Sequence, residues 1–228
     1  MHSREYRNGH PYAGRDVLVV GAGNSGAEIA VDLVESGARK VWLSVRTGPN
    51  IMRRDLAGFP TQALGVVLAR FPVPVVDRVA GVTQRLTVGD LSKYGMPRPA
   101  RGLYSRVRQD ERIPILDVGL IGMLKREEVS GVAEVAGFEE VAVVLADGTR
   151  LEPDVVIAAT GFRRNLGGLV GHLGVLDERG NPTFDGAATN PETPGLYFIG
   201  YSNPLSGNLR AVAIDARRIA RVVSARAH

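Results

Sequence analysis

Apolar residues recur along this chain in two rhythms, and the switch between them marks its elements. Over residues 15–45, RDVLVV is a short continuous apolar strand and KVWLSV is a second one. Between them NSGAEIAVDLVESG sets Ile29, Leu33 and Val34 on one helical face with Glu28, Asp32 and Glu35 around them, and Gly37 supplies a stop. The spacing predicts a βαβ unit.

Residues 48–102 change character. Pro and Gly punctuate two predicted helices, TQALGVVLAR and VVDRVAGVTQRL, whose apolar faces could dock on a partner domain or line a pocket, or simply pack on the sheet as a helical excursion. From 127 to 160 the pattern is β: VSGVAEVAGF, then VAVVLADGTRL with Asp147 and Gly148 at a hairpin turn, then DVVIAATG, apolar enough for a strand covered on both faces. PGLYFIGYS predicts a final strand, and SGNLRAVAIDARRIARVVSARA a C-terminal helix. The pieces fit an α/β fold, a doubly wound, Rossmann-like parallel sheet with a β excursion.

Composition narrows the chemistry. The 228 residues are 44% hydrophobic, enough to fill a core. With no cysteine, disulfides, cysteine zinc sites, iron–sulfur clusters and thiol nucleophiles are excluded. His2, His10, His172 and His228 stand far apart, in no metal-ligand spacing, so no metal is expected. Apolar runs such as VVIAA fall far short of the roughly 18 to 20 residues that span a bilayer, and no signal segment opens the chain, so a cytoplasmic protein without a transmembrane segment is expected. Net charge is +4, but Arg53, Arg54, Arg70, Arg85, Arg98 and Arg101 are dispersed and the lysines are only Lys40, Lys93 and Lys125. Such dispersion describes a solvated face, and no nucleic-acid partner is expected.

Gly21, Gly23 and Gly26 form G-x-G-x-x-G directly between a predicted strand and helix. Gly21 permits the tight turn, Gly23 lets backbone approach a pyrophosphate, and Gly26 lets helix and strand pack closely. Asn24 and Ser25, in the first helical turn, offer N–H groups to phosphate. At the end of the second strand, where an NAD site places a carboxylate on the ribose, the sequence reads Ser44, Val45, Arg46, Thr47. A guanidinium and hydroxyls there favour NADP(H), the alternative being an arginine that merely exits a strand. GNSGA also resembles a hydrolase nucleophile elbow, but Ala27 replaces its second glycine and no histidine is arranged as base for Ser25.

Beyond these motifs, GAGNSGAEIAVDL, SVRTGP, YGMPRP, PILDVG, DVVIAATGFRRN, PGLYFIGY and GNLRAVAIDARRIA, in that order, resemble the flavin-containing monooxygenases, in particular their bacterial and YUCCA-like branch. The resemblance spans almost the whole chain. It implies an NADPH domain inserted in an FAD domain, here residues 1–11 as linker, 12–150 as the NADP-binding domain and 151–228 as the returning part of the FAD domain. It implies NADP(H) and FAD as cofactors, a small-molecule substrate and O2 as partners, and oxygen transfer through a flavin C4a-hydroperoxide. Residue by residue, Gly21, Gly23, Asn24, Ser25 and Gly26 match the NADPH phosphate loop, and Ser44, Arg46 and Thr47 the 2′-phosphate loop. Ala159, Thr160 and Gly161 match the ATG turn, Gly200 closes a strand approaching the flavin, and Gly207, Asn208 and Leu209 start a helix aimed at the flavin ring; for Gly207 a simple helix start remains the alternative.

The departure is at the N-terminus. Family members carry an FAD-binding GxGxxG upstream, and a linker ending F-x-G-x-x-x-H-S-x-x-Y; this sequence has the tail of that linker, His2, Ser3 and Tyr6, and no second GxGxxG. A truncated homologue is therefore expected. Two readings follow: an NADPH- and FAD-dependent monooxygenase, or a noncatalytic NADP-binding fragment that needs a chain supplying the missing FAD half. A flavin-free reductase would need a Tyr–Lys pair placed for hydride chemistry, which is not seen.

Overall fold

The computed structural model describes residues 1–226 except 54, 57–58, 61–70, 111–112 and 202–206. The expected helix TQALGVVLAR, together with Arg54, Arg70 and His228, lies outside the described residues. The chain divides into two compact units, the first comprising Met1–Thr61 and Val73–Gly161, the second having Phe162–His228 as its main part.

The first unit is built on a parallel sheet of β1 (Asp16–Val20), β2 (Lys40–Ser44), β5 (Val129–Val132) and β9 (Val155–Ala158), in the order β9-β1-β2-β5. Alternation along β1 sends Val17 and Val19 to one face and Leu18 to the other. Val17 and Val19 pack with Ile29, Ala30 and Leu33 of α1 (Asn24–Glu35) and with Leu120 and Leu124 of α4 (Leu120–Lys125). Leu18 and Trp42 meet Val143, Leu145 and Leu151. Those three come from an antiparallel meander, β6 (Val135–Phe138), β7 (Val143–Leu145) and β8 (Arg150–Leu151), so the second face is covered by the expected β excursion. Its turn is where the sequence put it: Gly148 has φ +84°, and the Asp147 carboxylate accepts the Thr149 N–H at 3.0 Å. The α1 helix likewise ends as predicted, Gly37 taking φ +85° while the N–H of Ala38 reaches back to the Leu33 carbonyl at 3.0 Å.

Between β2 and β5 the chain makes the excursion. β3 (Ile51–Arg53) pairs in parallel with β4 (Ile115–Asp117), and α2 (Val73–Thr87) packs principally on α3 (Leu103–Asp110). The Asp77 carboxylate of α2 caps α3, accepting the Tyr104 N–H at 2.7 Å and the Ser105 hydroxyl at 2.5 Å. The expectation that this helix docks an apolar face on the sheet does not hold: α2 buries Val76 and leaves Val75, Val79, Val82 and Leu86 exposed.

Residues 1–11, expected as linker, are docked on this unit. The Met1 amino group donates to the Val156 carbonyl, the Ala158 N–H to Met1, and the Ser3 N–H to Ala158, each at 2.9 Å, extending the sheet beyond β9. The Tyr6 hydroxyl donates to Asp32 of α1 at 2.6 Å, with its ring stacked on Tyr12. The compact division falls after Gly161, later than the 150/151 boundary read from the sequence, because β9 belongs to the first unit's sheet.

The second unit gathers Leu166, Val175 and Phe198 with Phe184 and Tyr201, and ends in α5 (Asn208–Arg226). PGLYFIGYS does not form the expected strand. Among the described residues no ladder partner lies beside it; Phe198 instead turns its ring onto Phe184 and Tyr201, and its carbonyl accepts the Gly186 N–H at 2.8 Å.

Candidate dinucleotide site

The phosphate loop sits at the C-terminal edge of the sheet, where the strand ends of β1, β2 and β9 open together, the place a parallel α/β sheet offers a ligand. Gly21 leaves β1 at φ +113°, and a Cβ there would stand 2.5 Å from the Ala159 carbonyl oxygen. A side chain is thus excluded by conformation and by space. A Cβ on Gly26 would overlap the carbonyl oxygen of Gly21, so this glycine lets α1 close onto the loop. Gly23 differs: its φ is an ordinary −98°, it is exposed, and nothing lies within 4 Å of where its Cβ would be. The fold needs the outer two glycines; the space over the middle one is left open.

Gly23 is also the N-cap of α1, and no side chain caps the helix. The first N–H groups, those of Asn24 and Ser25 among them, have no intrahelical acceptor and carry the positive end of the helix dipole. Their side chains diverge. Ser25 is exposed beside the loop. The Asn24 amide is spent on structure, its Nδ2 donating to the Pro114 carbonyl at 3.1 Å and its Oδ1 accepting the Leu116 N–H at 2.9 Å, which ties β4 to the helix start. Asn24 can therefore offer a phosphate its backbone only.

The same sorting applies after β2. Ser44 is buried, its hydroxyl donates to the Ala133 carbonyl at 3.0 Å, and its own carbonyl accepts the Gly21 N–H at 3.1 Å. Ser44 braces the loop, with its hydroxyl proton committed to Ala133. Among the described residues the exposed Arg46 guanidinium meets no ion-pair or hydrogen-bond partner, and Thr47 is exposed next to it. Gly48 then turns inward, where a Cβ would collide with the Pro97 and Arg98 carbonyls, and its carbonyl accepts from Arg106. Sequence order could not show that SVRTGP and YGMPRP touch; Gly48 and Arg106 are the residues it missed.

Thr160 and Gly161 follow β9 beside the phosphate loop, both exposed, with Gly161 at φ +92° and open space over it. Ala159 anchors that turn, its N–H donating to the Val20 carbonyl at 2.8 Å. Gly200, Gly207, Asn208 and Leu209 lie in the second unit. Gly200, at φ +83°, would place a Cβ 3.4 Å from Val212 of α5. Gly207 has φ +94° and opens α5, and Leu209 is 85% exposed. Among the described residues no group of three metal-ligating side chains converges, and no helix is long and apolar enough to cross a membrane.

The open space at Gly23, the uncapped helix and the unpaired Arg46 fit a dinucleotide with a 2′-phosphate. They do not fit FAD as well: its pyrophosphate needs a second glycine loop, and the sequence holds one.

The chain resembles known proteins over its whole length. The chain is 35% identical to rice indole-3-pyruvate monooxygenase YUCCA4 (Oryza sativa subsp. japonica) over 100% of its own length and 51% of the relative's. It is 34% identical to the probable indole-3-pyruvate monooxygenase YUCCA7 of Arabidopsis thaliana over 98% of its length and 51% of the relative's. The chain spans about half the length of the curated relatives it matches. The fold is similar to part of a cyclohexanone-bound structure of cyclohexanone monooxygenase in its rotated conformation, with TM-score 0.63 at 18% identity over 98% of this chain and 56% of that one. A flavin monooxygenase mutant from Stenotrophomonas maltophilia gives TM-score 0.60 at 24% identity, over 100% and 55% of the two chains. The model of the flavin-binding monooxygenase-like family matches residues 1–228 throughout, and the chain belongs to that family.

Proposed function

We propose that the first unit binds NADP(H) and serves as the nicotinamide-binding half of a flavin-dependent monooxygenase that oxygenates a small organic molecule with O2. The observation that carries this is Arg46, exposed and unpaired at the end of β2, with no carboxylate in the Ser44–Thr47 turn. A 2′-phosphate would be held there by the guanidinium, and the carboxylate that would repel it is missing. The pyrophosphate would lie over Gly23 on the N–H groups of the first α1 turn, with Thr160 and Gly161 flanking it. NADPH, when bound, supplies the hydride. The residues named hold and orient it, while the tight Gly21 and Gly26 contacts keep the loop rigid.

The second unit, with Gly200, Gly207, Asn208 and Leu209, belongs in this reading to the flavin side. FAD itself then depends on a pyrophosphate loop supplied by polypeptide other than these 228 residues. The relatives' names, indole-3-pyruvate monooxygenases, support an oxygenase acting on a small organic substrate.

Calorimetric titration of the chain with NADPH and NADH tests the assignment. Arg46→Ala is expected to weaken NADPH about 10- to 100-fold, the worth of one or two charge-assisted hydrogen bonds, and to leave NADH unchanged. Equal losses for the two dinucleotides would refute the 2′-phosphate role.

A further inference from the structure

Arg46 and Thr47 are two exposed residues between two buried ones, Val45 and Gly48. Each buried neighbour is fixed by main-chain contacts. The Val45 N–H donates to the Val132 carbonyl at 2.9 Å, and its side chain lies in the core with Val17 and Val19. Gly48 is seated so closely that a Cβ would stand 2.1 Å from the Pro97 carbonyl oxygen, and its own carbonyl accepts a hydrogen bond from the Arg106 guanidinium.

Arg106 is 8% exposed and reaches Gly48 from a platform that is itself held in place. It stands near the start of α3, its N–H donating to the Gly102 carbonyl at 3.1 Å. That start is tied to α2 by the Asp77 carboxylate, which accepts the Tyr104 N–H and the Ser105 hydroxyl. Gly102 packs on the same carboxylate, where a Cβ would stand 2.3 Å from the carboxyl carbon. Taking a guanidinium out of water is costly. Once buried, its charge-assisted hydrogen bond is short and directional, and it defines one position for the carbonyl that receives it.

We propose, building on the NADP(H) reading above, that Arg106 is a positioning residue for the choice of dinucleotide: by holding the Gly48 carbonyl it fixes the turn from which Arg46 reaches a 2′-phosphate. Among the described residues the Arg46 guanidinium has no protein partner to orient it. Its place relative to the phosphate is set by its backbone, and that backbone is pinned by Val45 on one side and by Gly48 on the other. Arg106 touches no ligand and sets the preference for NADPH over NADH through Arg46.

Calorimetric titration of the 228-residue protein and its variants with NADPH and NADH tests the proposal. Arg106→Met is expected to weaken NADPH about 3- to 10-fold, the cost of ordering one long side chain that is no longer held in register, and to leave NADH unchanged. Arg106→Lys keeps a charged donor for the Gly48 carbonyl and should retain more of the preference than methionine does. Arg106→Gln, whose amide stops short of that carbonyl, carries the same test should Arg106→Met not fold, and it too should lose preference for NADPH. In the Arg46→Ala background Arg106→Met should have no further effect on NADPH, because both act on one contact. Equal losses for NADPH and NADH, an unchanged preference in the methionine and glutamine variants, a lysine variant no better than methionine, or additive losses in the double variant would overturn the role of Arg106 and leave that of Arg46 standing. Equal affinity of the unaltered protein for NADPH and NADH, or an Arg46→Ala variant that keeps the preference, would overturn both.

Discussion

Replacing Gly23 and Gly26 by alanine, one at a time, separates the ligand-facing glycine of the phosphate loop from the one the fold itself requires. At Gly26 the new Cβ would overlap the Gly21 carbonyl oxygen, lie 3.1 Å from its carbon and stand 3.4 Å from the Ala159 Cβ. Two of those atoms are backbone, so relief requires α1 to move off β1. Overpacking of this kind costs about 1–3 kcal/mol, and at roughly 2–4 °C per kcal/mol for a domain of this size the melting temperature should fall by about 2–12 °C. At Gly23 the methyl meets nothing within 4 Å, and φ −98° suits alanine. The remaining effect is the poorer N-cap, about 1 kcal/mol at most. The same methyl occupies the space proposed for the pyrophosphate, and losing one charge-assisted hydrogen bond there lowers NADP+ affinity about 10- to 100-fold. Thermal unfolding by circular dichroism and calorimetric titration with NADP+ read the two quantities separately. Unchanged NADP+ affinity in Gly23→Ala, or a melting-temperature loss as large as that of Gly26→Ala, would refute the assignment.

Three further outcomes are expected. Tyr6→Phe removes the hydrogen bond to Asp32 and should cost about 1 kcal/mol at neutral pH. Burial, and then that bond, raise the Tyr6 phenol above its ordinary value near 10, so its contribution is fully present below about pH 10 and lost as pH rises toward the folded value. The stability gap between wild type and variant should therefore narrow above that pH in denaturant titrations, and a pH-independent gap would contradict this. Asp77→Ala uncaps α3 and should cost about 0.5–2 kcal/mol, seen as faster hydrogen exchange at the Tyr104 and Ser105 amides; unchanged exchange would remove the capping role. The 228-residue chain purified alone should show no stoichiometric flavin absorption in the visible, and one FAD per chain would overturn the dependence on a second pyrophosphate loop.

Local patterns carried the sequence reading where a single segment decides its own structure. The 3.6-residue spacing of α1, Gly37 after it, the Asp147–Gly148 turn and the strand–glycine–helix order of the fingerprint all depend on near neighbours, and each is found in place. What was not legible depends on partners distant in sequence. The three-residue strands β3 and β4 are too short to show a period and exist only because they pair with each other. Ser44 and Asn24 have the residue types of ligand-binding positions, but their side chains are taken by Ala133 and by the β4 backbone, which only the fold brings near. PGLYFIGYS has strand composition, and a strand also needs a neighbour's backbone. Met1–Ser3 shows the reverse, a polar stretch with no strand signal that pairs because the edge of β9 is open to it.

The excursion leaves the sheet through Gly48, pressed on the Pro97 and Arg98 carbonyls, and midway touches it again at Gly95, whose backbone lies against that of Gly131 in β5. These contacts work as a clasp. The segment between them is tied in as well, because Ile51, Val88 and Leu91 are buried in the same core as Val17 and Val19 of β1. A single side chain added at Gly48, Gly95 or Gly131 would run into main chain and disturb the end of β2 that carries the Arg46 turn, and variation should be nearly forbidden at these fastenings.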